Sequence, residues 1–459
     1  MPITLLKNAT IVTGASVVKG TLGIEGELIS GIWKETPSIP GAEVIDVEGC
    51  LVMAGGIDAH VHFREPGMTH KADIGSESLA AVLGGITSFI DMPNTAPPAT
   101  SMEAIEWKLN RASETSCANY GFHIGATNSN ATLIREYIDR GKGGMFGGIK
   151  VFMGSSTGNM LVDRDSVLEE LFRIKGKTIL IHSEDESIIK RNLAKAKEEY
   201  GDAIPFEAHP LIRSREACVK STGKALELAV KYGTRLHILH VSTKEETAMI
   251  RDAKKANPEI TAETSANYLW FSDKDYARMA GALKCNPAVK SPDDRDALIE
   301  ALADGTIDTI GSDHAPHLRE EKLKPYLECP SGLPTIQQSL PAVLTIAMEN
   351  GIPLQRIASA FSEKAADIFG IAGRGYLQPG SFADIVVVDP EKEFIVGKPA
   401  YKCGWSPYEG CRMKGAVKMV WLNGSLVVNN GNPTKDYFNS RKEILFRSRS
   451  TDSTLTCTF

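Results

Sequence analysis

The sequence has few cysteines, no long apolar run and no strong excess of charge of either sign. Its eight cysteines are scattered over 459 residues and form no C-x-x-C pair, which fits reduced thiols rather than a disulfide framework. No apolar run approaches the ~18 residues that a membrane-spanning helix needs. The start, MPITLLKNATIVTG, reads as a strand and lacks the apolar core of a signal peptide. These absences predict a cytoplasmic protein without a membrane partner.

The charge balance limits the class of partner. A net charge of −6 and a pI near 6.0 argue against nucleic acid as the main partner. They do not exclude a small anionic substrate, because one pocket can be cationic on an acidic protein. Hydrophobic residues make up 42% of the chain and charged residues 24%, as in ordinary soluble proteins. The length predicts about two or three domains, or one barrel with an accessory domain.

Short apolar strands alternate with helix-like stretches through the middle of the chain. The strand candidates are, in order, IDAHVHF, GITSFIDM, ANYGFHIGA, GGIKVFM, TILIHSE, RLHILHV, EITAETS and IDTIGSDH. Amphipathic stretches such as DRDSVLEELFRIKG and SPDDRDALIEALADG separate most of them. This alternation predicts an α/β protein built on a (β/α)₈ TIM barrel. An open doubly wound sheet is the alternative, which the strand count and the lack of G-x-G-x-x-G after the first strand disfavour.

Short β-like runs occupy both ends of the chain instead. They fill the first fifty residues and return near the other end in SFADIVVVDPEKEFIV and KMVWLNGSLVV. We expect the two sets to fold together into a small β-sandwich domain beside the barrel. The predicted boundaries are 1–52 with 375–459 for this composite β domain and 53–374 for the barrel.

Polar residues interrupt the apolar strands near their C-terminal ends, where barrel enzymes carry their chemistry. The residues at these strand ends are His60, His62, Lys150, His182, His240 and Asp313. His60 and His62 are two apart on one strand, so their imidazoles point from the same face. A single buried histidine is more often a core residue, but imidazoles together with a carboxylate suit Zn²⁺. The coincidence of these residues predicts a metal site, with room in the set for two ions.

Lys150 is the odd member of this set, because an ammonium cannot ligate a cation. One interpretation is an ion pair between Lys150 and Asp313. The other is that CO₂ has converted the lysine to a carbamate, which is an anionic bridging ligand. The sequence does not choose between them.

Other histidines and one loop also lie near the predicted site. His237 is three residues before His240, so we expect it to face the helices. His123 is ambiguous, whereas His314 and His317 follow Asp313 and could reach the site. The loop GSSTGNM after Lys150 is either a mobile lid or an ordinary flexible loop.

Two stretches, GGIDAHVHFREPG and GSDHAPH, resemble the amidohydrolase superfamily and, within it, the dihydroorotases of the longer type. The resemblance continues, in matching order and spacing, through FIDMPNT, GGIKVFMGSSTG, IHSED, HVST, KCNPAV, SDHAPHLREEK and GSFADIVVVD. It implies reversible closure of N-carbamoyl-L-aspartate to (S)-dihydroorotate in de novo pyrimidine biosynthesis. It also implies two zinc ions per chain and a homodimer.

The resemblance assigns the metal ligands residue by residue. His60 and His62 look like ligands of the more buried ion, and His182 and His240 like ligands of the more exposed one. Lys150 would be carboxylated at its Nζ atom and would bridge the two ions. A hydroxide between the ions would be the nucleophile.

The resemblance also assigns a catalytic residue and a set of substrate contacts. Asp313 would ligate the first ion and serve as general base and acid. The implied substrate contacts are Arg64, Asn94, Asn286, His317 and the backbone around Ser331 and Gly332. Arg64 offers a planar fork to a carboxylate, and alternation places it on the same rim as His62.

Substrate contacts must choose among the enzymes that share this metal site. Hydantoinases, dihydropyrimidinases and allantoinases usually lack an arginine after the second histidine, whereas HFREPG keeps Arg64, which points to dihydroorotate. The alternative for Arg64 is an ion pair with Glu65 or Asp73, and for Asn94 it is a turn cap. A non-catalytic relative would have lost ligands, and all the ligand positions are filled here.

Two stretches depart from the family pattern. ETSANYLW stands after strand 7, where Pro-His-His or Pro-His-Tyr is more common. NPAVK stands in place of NPPLR, so Lys290 replaces an arginine. Neither touches a metal ligand, but both could alter how the substrate fits.

Overall fold

The structure is a computed structural model that describes residues 3–154, 160–435 and 437–447. The interpretation of the GSSTGNM loop as a lid falls on residues outside this description. In the described part of the chain, no helix combines the length and the apolar character needed to cross a membrane. The seven cysteines described are all free thiols.

The strands fall into an N-terminal, a central and a C-terminal group. The N-terminal group is β1 (Thr4–Val12), β2 (Val17–Glu25), β3 (Leu28–Trp33), β4 (Glu43–Asp46) and β5 (Leu51–Ala54). The central group is β6 (Gly56–Val61), β7 (Ile86–Asp91), β8 (Asn119–Phe122), β9 (Ile124–Gly125), β10 (Gly148–Phe152), β11 (Thr178–His182), β12 (Leu236–Ile238), β13 (Ile260–Thr264) and β14 (Thr309–Ile310). The C-terminal group is β15 (Ile385–Ile395), β16 (Arg412–Leu422), β17 (Ser425–Asn429) and β18 (Asn432–Pro433).

Helices follow most of the central strands. The first are α1 (Ile74–Leu83), α2 (Met102–Thr115), α3 (Ala131–Asp139), α4 (Asp165–Phe172), α5 (Glu186–Tyr200), α6 (His209–Ile212) and α7 (Arg215–Tyr232). The others are α8 (Lys244–Ala256), α9 (Ala266–Trp270), α10 (Tyr276–Met279), α11 (Pro292–Asp304), α12 (Arg319–Lys322), α13 (Ser339–Asn350), α14 (Leu354–Ala358) and α15 (Lys364–Phe369). Short 3₁₀ turns and one π-helical turn, Ser359–Glu363, complete the set.

The central strands close into a parallel barrel. Strands β9 to β14 form one ladder and β6 to β8 another, and β8 and β9 are two parts of the third barrel strand, interrupted at His123. The ring closes where Val61 pairs with His314 and the backbone N–H of His62 donates to His314 O at 2.8 Å. The predicted barrel with a small β domain is therefore confirmed, and each strand candidate coincides with one barrel strand.

The terminal strands join in one mixed sheet beside the barrel. Its order is β18-β17-β16-β15-β5-β1-β2-β3, with β4 paired to β1. The antiparallel pair β5–β15 is the place where the two ends of the chain meet. Buried residues of both ends, among them Leu6, Ile24, Val387 and Trp421, form a core of their own. The domain boundaries 1–52 with 375–459 and 53–374 stay a prediction.

Local signals explain where the longer barrel helices begin and end. The Ser214 hydroxyl caps α7, and Gly233 ends it in the left-handed conformation at φ 58°. Ser291 and Asp294 form a capping box at the start of α11, where proline occupies the first position, and Gly305 ends the helix at φ 86°. These helices place their apolar faces against the barrel and leave the strand ends open on one side.

A buried ion pair fixes the end of β7 to α2. Lys108 Nζ lies 2.6 Å from Asp91 Oδ2, and both side chains are almost fully buried. The other carboxylate oxygen of Asp91 accepts the backbone N–H of Phe63 at 2.8 Å, directly after the predicted ligand His62. The pair therefore holds the backbone on which the first strand end depends.

We expect Lys108→Met to lower the free energy of unfolding by about 3–5 kcal/mol, because Asp91 would stay buried without its cation. Urea unfolding of the full chain measures the loss. The matched control is Arg140→Met, which removes an exposed ion pair to Glu136 four residues away and should change stability by less than about 0.5 kcal/mol. Equal effects of the two substitutions would contradict this assignment.

Candidate metal centre and anion pocket

The C-terminal ends of the barrel strands surround one pocket of about 410 Å³. All the metal-binding and substrate-binding side chains predicted from the sequence line it: His60, His62, Arg64, Asn94, Lys150, His182, His240, Asn286, Asp313, His317, Ser331 and Gly332. Lys71 and Arg213 also line it and were not predicted. The structure therefore brings the whole predicted set together.

His60, His62 and Asp313 converge on one point. The Nε2 atoms of His60 and His62 lie 3.3 and 3.2 Å from the same Oδ1 atom of Asp313. The Nδ1 atom of His60 lies 2.6 Å from Glu263 Oε1, and that of His62 lies 2.7 Å from Asn94 Oδ1, so each Nδ1 carries the proton that it donates.

The Nε2 atom of His60 therefore presents a lone pair to a carboxylate oxygen, which is also an acceptor. Burial holds the pKa of His60 well below its usual range, so protonation does not relieve the contact there. A cation between the three atoms would satisfy all of them. These residues fit a divalent metal ion, in line with the prediction made for them.

His182 and His240 form a second pair beside the first. His182 Nδ1 lies 2.9 Å from His240 Nε2, and the rings of His60 and His240 have centroids 5.3 Å apart. His182 donates from Nε2 to Glu184 Oε2 at 2.9 Å, so its Nδ1 carries no proton and is an acceptor. Burial lowers the pKa of both histidines, which keeps them neutral and able to bind a metal.

Lys150 lies within this group without the ion pair that the first interpretation required. Its side chain is buried, its Nζ lies 4.6 Å from the centre of the Phe152 ring, and it has no carboxylate partner within the described residues. Burial lowers the pKa of Lys150 to about 7, so a large fraction of the amine is uncharged near neutral pH. An uncharged amine is the form that reacts with CO₂, so the residue fits the carbamate interpretation.

Three of the pocket residues have unusual backbone conformations. Arg64, His240 and Asp313 adopt positive φ angles of 64°, 39° and 48°, which are costly for side chains other than glycine. The buried carboxylate of Asp58 holds this region by accepting from the backbone N–H groups of His60 and Ser312, at 3.1 and 3.2 Å. The first and last barrel strands are thereby fixed to each other beside the metal ligands.

Arg64 is a buried cation that faces the pocket. Its Nε donates to Pro316 O at 3.2 Å, and its Nη2 lies 3.1 Å from His317 Nε2. The alternative ion pairs are not formed, because Glu65 binds Arg111 and Asp73 binds Lys402. Burial lowers the pKa of Arg64 to about 10, so it stays protonated at neutral pH.

Asn94, Asn286 and Gly332 complete the pocket. Asn94 orients His62, as described above, rather than only capping a turn. Within the described residues, the buried Oδ1 atom of Asn286 has no hydrogen-bond partner, so it is available to a donor on a bound molecule. Gly332 has φ 141°, and a Cβ there would lie 2.5 Å from Ala315 O and 3.0 Å from His317. Only glycine allows the backbone to approach the pocket so closely.

Sequence reasoning missed the carboxylates that orient the ligands. Glu263 lies in β13, 203 residues after His60, and Glu184 lies two residues after His182. The signal was available, because a glutamate inside the apolar run ITAET is costly unless it has a partner. Lys71 had no such signal, since it lies in a loop.

Two other histidines, His314 and His237, do not lie where the sequence suggested. His314 does not line the pocket, because its Nε2 lies 2.7 Å from Glu77 Oε2 and its Nδ1 accepts the Thr335 N–H at 2.9 Å. The prediction that His237 faces the helices is wrong, since its Nε2 lies 3.7 Å from Glu263 Oε2. Strand β12 ends at Ile238, so strand alternation does not connect His237 with His240.

Neither departure from the family pattern reaches the pocket. Lys290 is buried and donates to Ala288 O at 2.8 Å, and ANYLW forms helix α9, where Tyr268 donates to Pro287 O at 2.8 Å. None of these residues lines the pocket. Lys290 and α9 therefore act on packing behind the pocket, whereas Asn286, which begins NPAVK, lines it and Glu263, which begins ETSANYLW, orients His60.

The chain is similar to one protein family, to dihydroorotases in sequence and to a hydantoinase in structure. The profile of the amidohydrolase family matches residues 51–427. A dihydroorotase of Methanosarcina acetivorans is 36% identical over 422 residues, which cover 89% of each chain. A dihydroorotase of Bacillus subtilis is 33% identical over 447 residues, which cover 92% of this chain and 99% of the other. Among solved structures, the L-hydantoinase (dihydropyrimidinase) of Arthrobacter aurescens has a TM-score of 0.91 at 27% identity, covering 97% of this chain and 100% of that one.

We expect Glu263→Gln to weaken divalent metal binding about 10- to 100-fold, because His60 would lose the carboxylate that orients it and raises its basicity. Competition with a chromophoric chelator measures the affinity. Glu259→Gln, at an exposed side chain of the same β13 region, is the matched control and should leave the affinity unchanged. Equal affinity in the two variants would remove the orienting role of Glu263.

Proposed function

The chain belongs to the amidohydrolase family, and from this premise we propose that it interconverts N-carbamoyl-L-aspartate and (S)-dihydroorotate, the ring-closing step of pyrimidine synthesis. It is a hydrolase: ring opening, the reverse of ring closure, is the hydrolysis of a cyclic amide. The observation that supports this substrate best is Arg64, a buried guanidinium that faces the pocket with no carboxylate partner in the described chain.

The charge of Arg64 argues for a carboxylate on the substrate. A desolvated cation is costly unless an anion pairs with it. Dihydroorotate and carbamoyl aspartate both carry a carboxylate that a guanidinium can bind through two parallel hydrogen bonds. His317 and Asn286 lie in the same pocket, where His317 would contact the carboxylate. Asn286 Oδ1, which no donor of the described residues reaches, would accept a ring N–H.

The metal ligands in this proposal are those predicted from the sequence. His60, His62 and Asp313 would hold one zinc ion, and His182 and His240 would hold a second. Lys150, carboxylated at Nζ, would supply the bridging anion that the second pair lacks. Divalent cations held there would supply a hydroxide nucleophile at neutral pH and would polarise the amide carbonyl.

In this proposal Asp313 would move the proton. In ring opening it would take the proton released by the nucleophile and return it to the ring nitrogen as that nitrogen leaves. In ring closure the same carboxylate would accept the proton of the attacking ureido nitrogen. The contacts of Asp313 with both histidines hold its oxygen in place.

Hydantoin or dihydropyrimidine hydrolysis is the second candidate. The structural likeness to an L-hydantoinase favours it, because the barrel and the β domain superpose over nearly the whole of both chains. Hydantoin and dihydrouracil carry no ring carboxylate, so neither would neutralise Arg64. Allantoinase activity and a non-catalytic role are weaker alternatives. A non-catalytic relative would have lost metal-binding residues, and this chain has a suitable residue at each predicted position. A homodimer and a cytoplasmic location stay predictions.

The direct test is the loss of dihydroorotate absorbance on ring opening by the zinc-loaded chain, beside parallel assays on allantoin, hydantoin and dihydrouracil. Preference for dihydroorotate supports the proposal. Activity only on an uncharged ring would keep the metal centre and reject the substrate. No activity on any ring, with metal bound, would support the non-catalytic alternative.

Arg64→Ala should lower kcat/KM for dihydroorotate at least about thirtyfold while metal content stays unchanged, because a buried charge partner of the substrate is lost. Steady-state kinetics and metal analysis on the same sample measure both quantities. Arg278→Ala removes an exposed arginine and is the control. Unchanged kinetics in Arg64→Ala would reject the carboxylate contact.

Lys150→Ala should lose most bound metal and activity, since the second histidine pair would have no bridging anion. A short-chain carboxylate added with zinc should restore part of the activity. Lys177→Ala removes another buried lysine, whose Nζ donates to Phe146 O at 2.7 Å away from the pocket, and should keep the full metal content. Full metal occupancy in Lys150→Ala would remove the bridging role.

A further inference from the structure

Lys71 contacts His317 at Nδ1, the ring nitrogen that does not contact Arg64. It lies in the loop between β6 and α1, and its Nζ lies 3.0 Å from His317 Nδ1. The same Nζ lies 2.8 Å from Glu321 Oε1 in α12, so the lysine is held as an ammonium by a carboxylate. An ammonium donates hydrogen bonds and accepts none.

The other nitrogen of His317 also has two neighbours. Its Nε2 lies 3.1 Å from Ser331 O, which only accepts, and 3.1 Å from Arg64 Nη2, which only donates. The ring is buried, and its backbone is held by the indole N–H of Trp405, which donates to His317 O at 2.8 Å. Burial and this backbone contact restrict the position of the ring, so its tautomer depends on the four groups around its two nitrogens.

The contacts favour one tautomer. With the proton on Nε2, the ring accepts from Lys71 at Nδ1 and donates to Ser331 O, so two hydrogen bonds form. With the proton on Nδ1, it meets the Lys71 ammonium donor to donor, Ser331 O loses its donor, and only the bond from Arg64 forms. A doubly protonated ring would face two cations, and burial with Arg64 nearby holds the pKa of His317 far below its usual range.

We infer that Lys71 is a positioning residue that fixes His317 with its proton on Nε2 and so keeps Arg64 available to a substrate carboxylate. With the Nε2–H of His317 donating to Ser331 O, the Nη2–H of Arg64 has no acceptor on His317. That N–H can then donate to a carboxylate oxygen of a bound molecule. The inference rests on the proposed function for the nature of the anion, but not for the tautomer.

Replacement of Lys71 makes the alternative tautomer favourable. In Lys71→Met the carboxylate of Glu321, whose Oε2 lies 3.8 Å from His317 Nδ1, becomes the nearest partner of that nitrogen. The proton would move to Nδ1, and Nε2 would accept from Arg64. Arg64 would then be bound to His317 and less available to substrate.

The first measurement is the tautomer of His317 in the metal-loaded full chain, by ¹⁵N NMR with labelled histidine and with His317→Gln to assign the signal. The expected result is a protonated Nε2 and an unprotonated Nδ1. The opposite tautomer in the wild-type chain overturns the inference, whatever the variants do. No substrate is needed, so this result does not depend on the proposed function.

The second measurement is the kinetics of dihydroorotate hydrolysis in four variants. Lys71→Met should move the proton to Nδ1 and raise KM about tenfold or more, with kcat within about twofold of wild type. Lys71→Arg keeps a donor and should restore both the tautomer and KM. Lys255→Met, at an exposed lysine paired with Asp252, is the matched control. Glu321→Gln should shift KM in the same direction if Lys71→Met does not fold.

The outcomes separate the two claims. An unchanged tautomer and an unchanged KM in Lys71→Met would overturn the positioning role. A wild-type chain that has the expected tautomer but does not act on dihydroorotate would reject the proposed function and leave the tautomer assignment standing.

Discussion

The structure depends on two imidazole nitrogens and one carboxylate oxygen that meet at a buried point. The Nε2 atoms of His60 and His62 face one oxygen of Asp313, and Glu263 and Asn94 hold the Nδ1 protons on the far sides of both rings. Imidazole nitrogens and a carboxylate oxygen that converge in this way suit a divalent cation. The barrel closure at Asp58 and the left-handed backbone of Asp313 both hold this arrangement, so the fold maintains the geometry of the ligands.

The alternation of short apolar strands and amphipathic helices was sufficient to predict the fold class. Parallel strands that are covered on both faces are read as continuous apolar runs, and the capping residues of α7 and α11 mark their helices clearly. The strand ends were harder to predict. Strand β12 stops at Ile238 and β14 has only Thr309 and Ile310, because the chain leaves the ladder early to place His240 and Asp313. The alternation of residues along a strand does not show where the strand ends so that a functional residue can follow.

The candidate site was predictable to the extent that the C-terminal ends of parallel strands meet. That geometric rule brought residues far apart in the sequence to one rim, and the resemblance to a family added the contacts that lie in loops. The partners of the ligands could not be predicted in the same way. Glu263 reaches His60 across the barrel, and Lys71 reaches His317 between loops that follow the first and the last strand. Such pairs depend on tertiary packing, which a local pattern does not describe.

The structural likeness to a hydantoinase and the sequence likeness to dihydroorotases bear on different questions. A shared barrel determines where the chemistry lies, at the C-terminal ends of the strands, whereas the pocket wall determines which ring is bound. Here the wall contains Arg64, with a charge that no described carboxylate neutralises, beside a histidine held neutral by its surroundings. An uncharged ring in this pocket would leave the guanidinium desolvated and without a partner, which is costly for binding. A ring carboxylate removes that cost, so the electrostatics of the wall favour an anionic substrate although the fold alone does not.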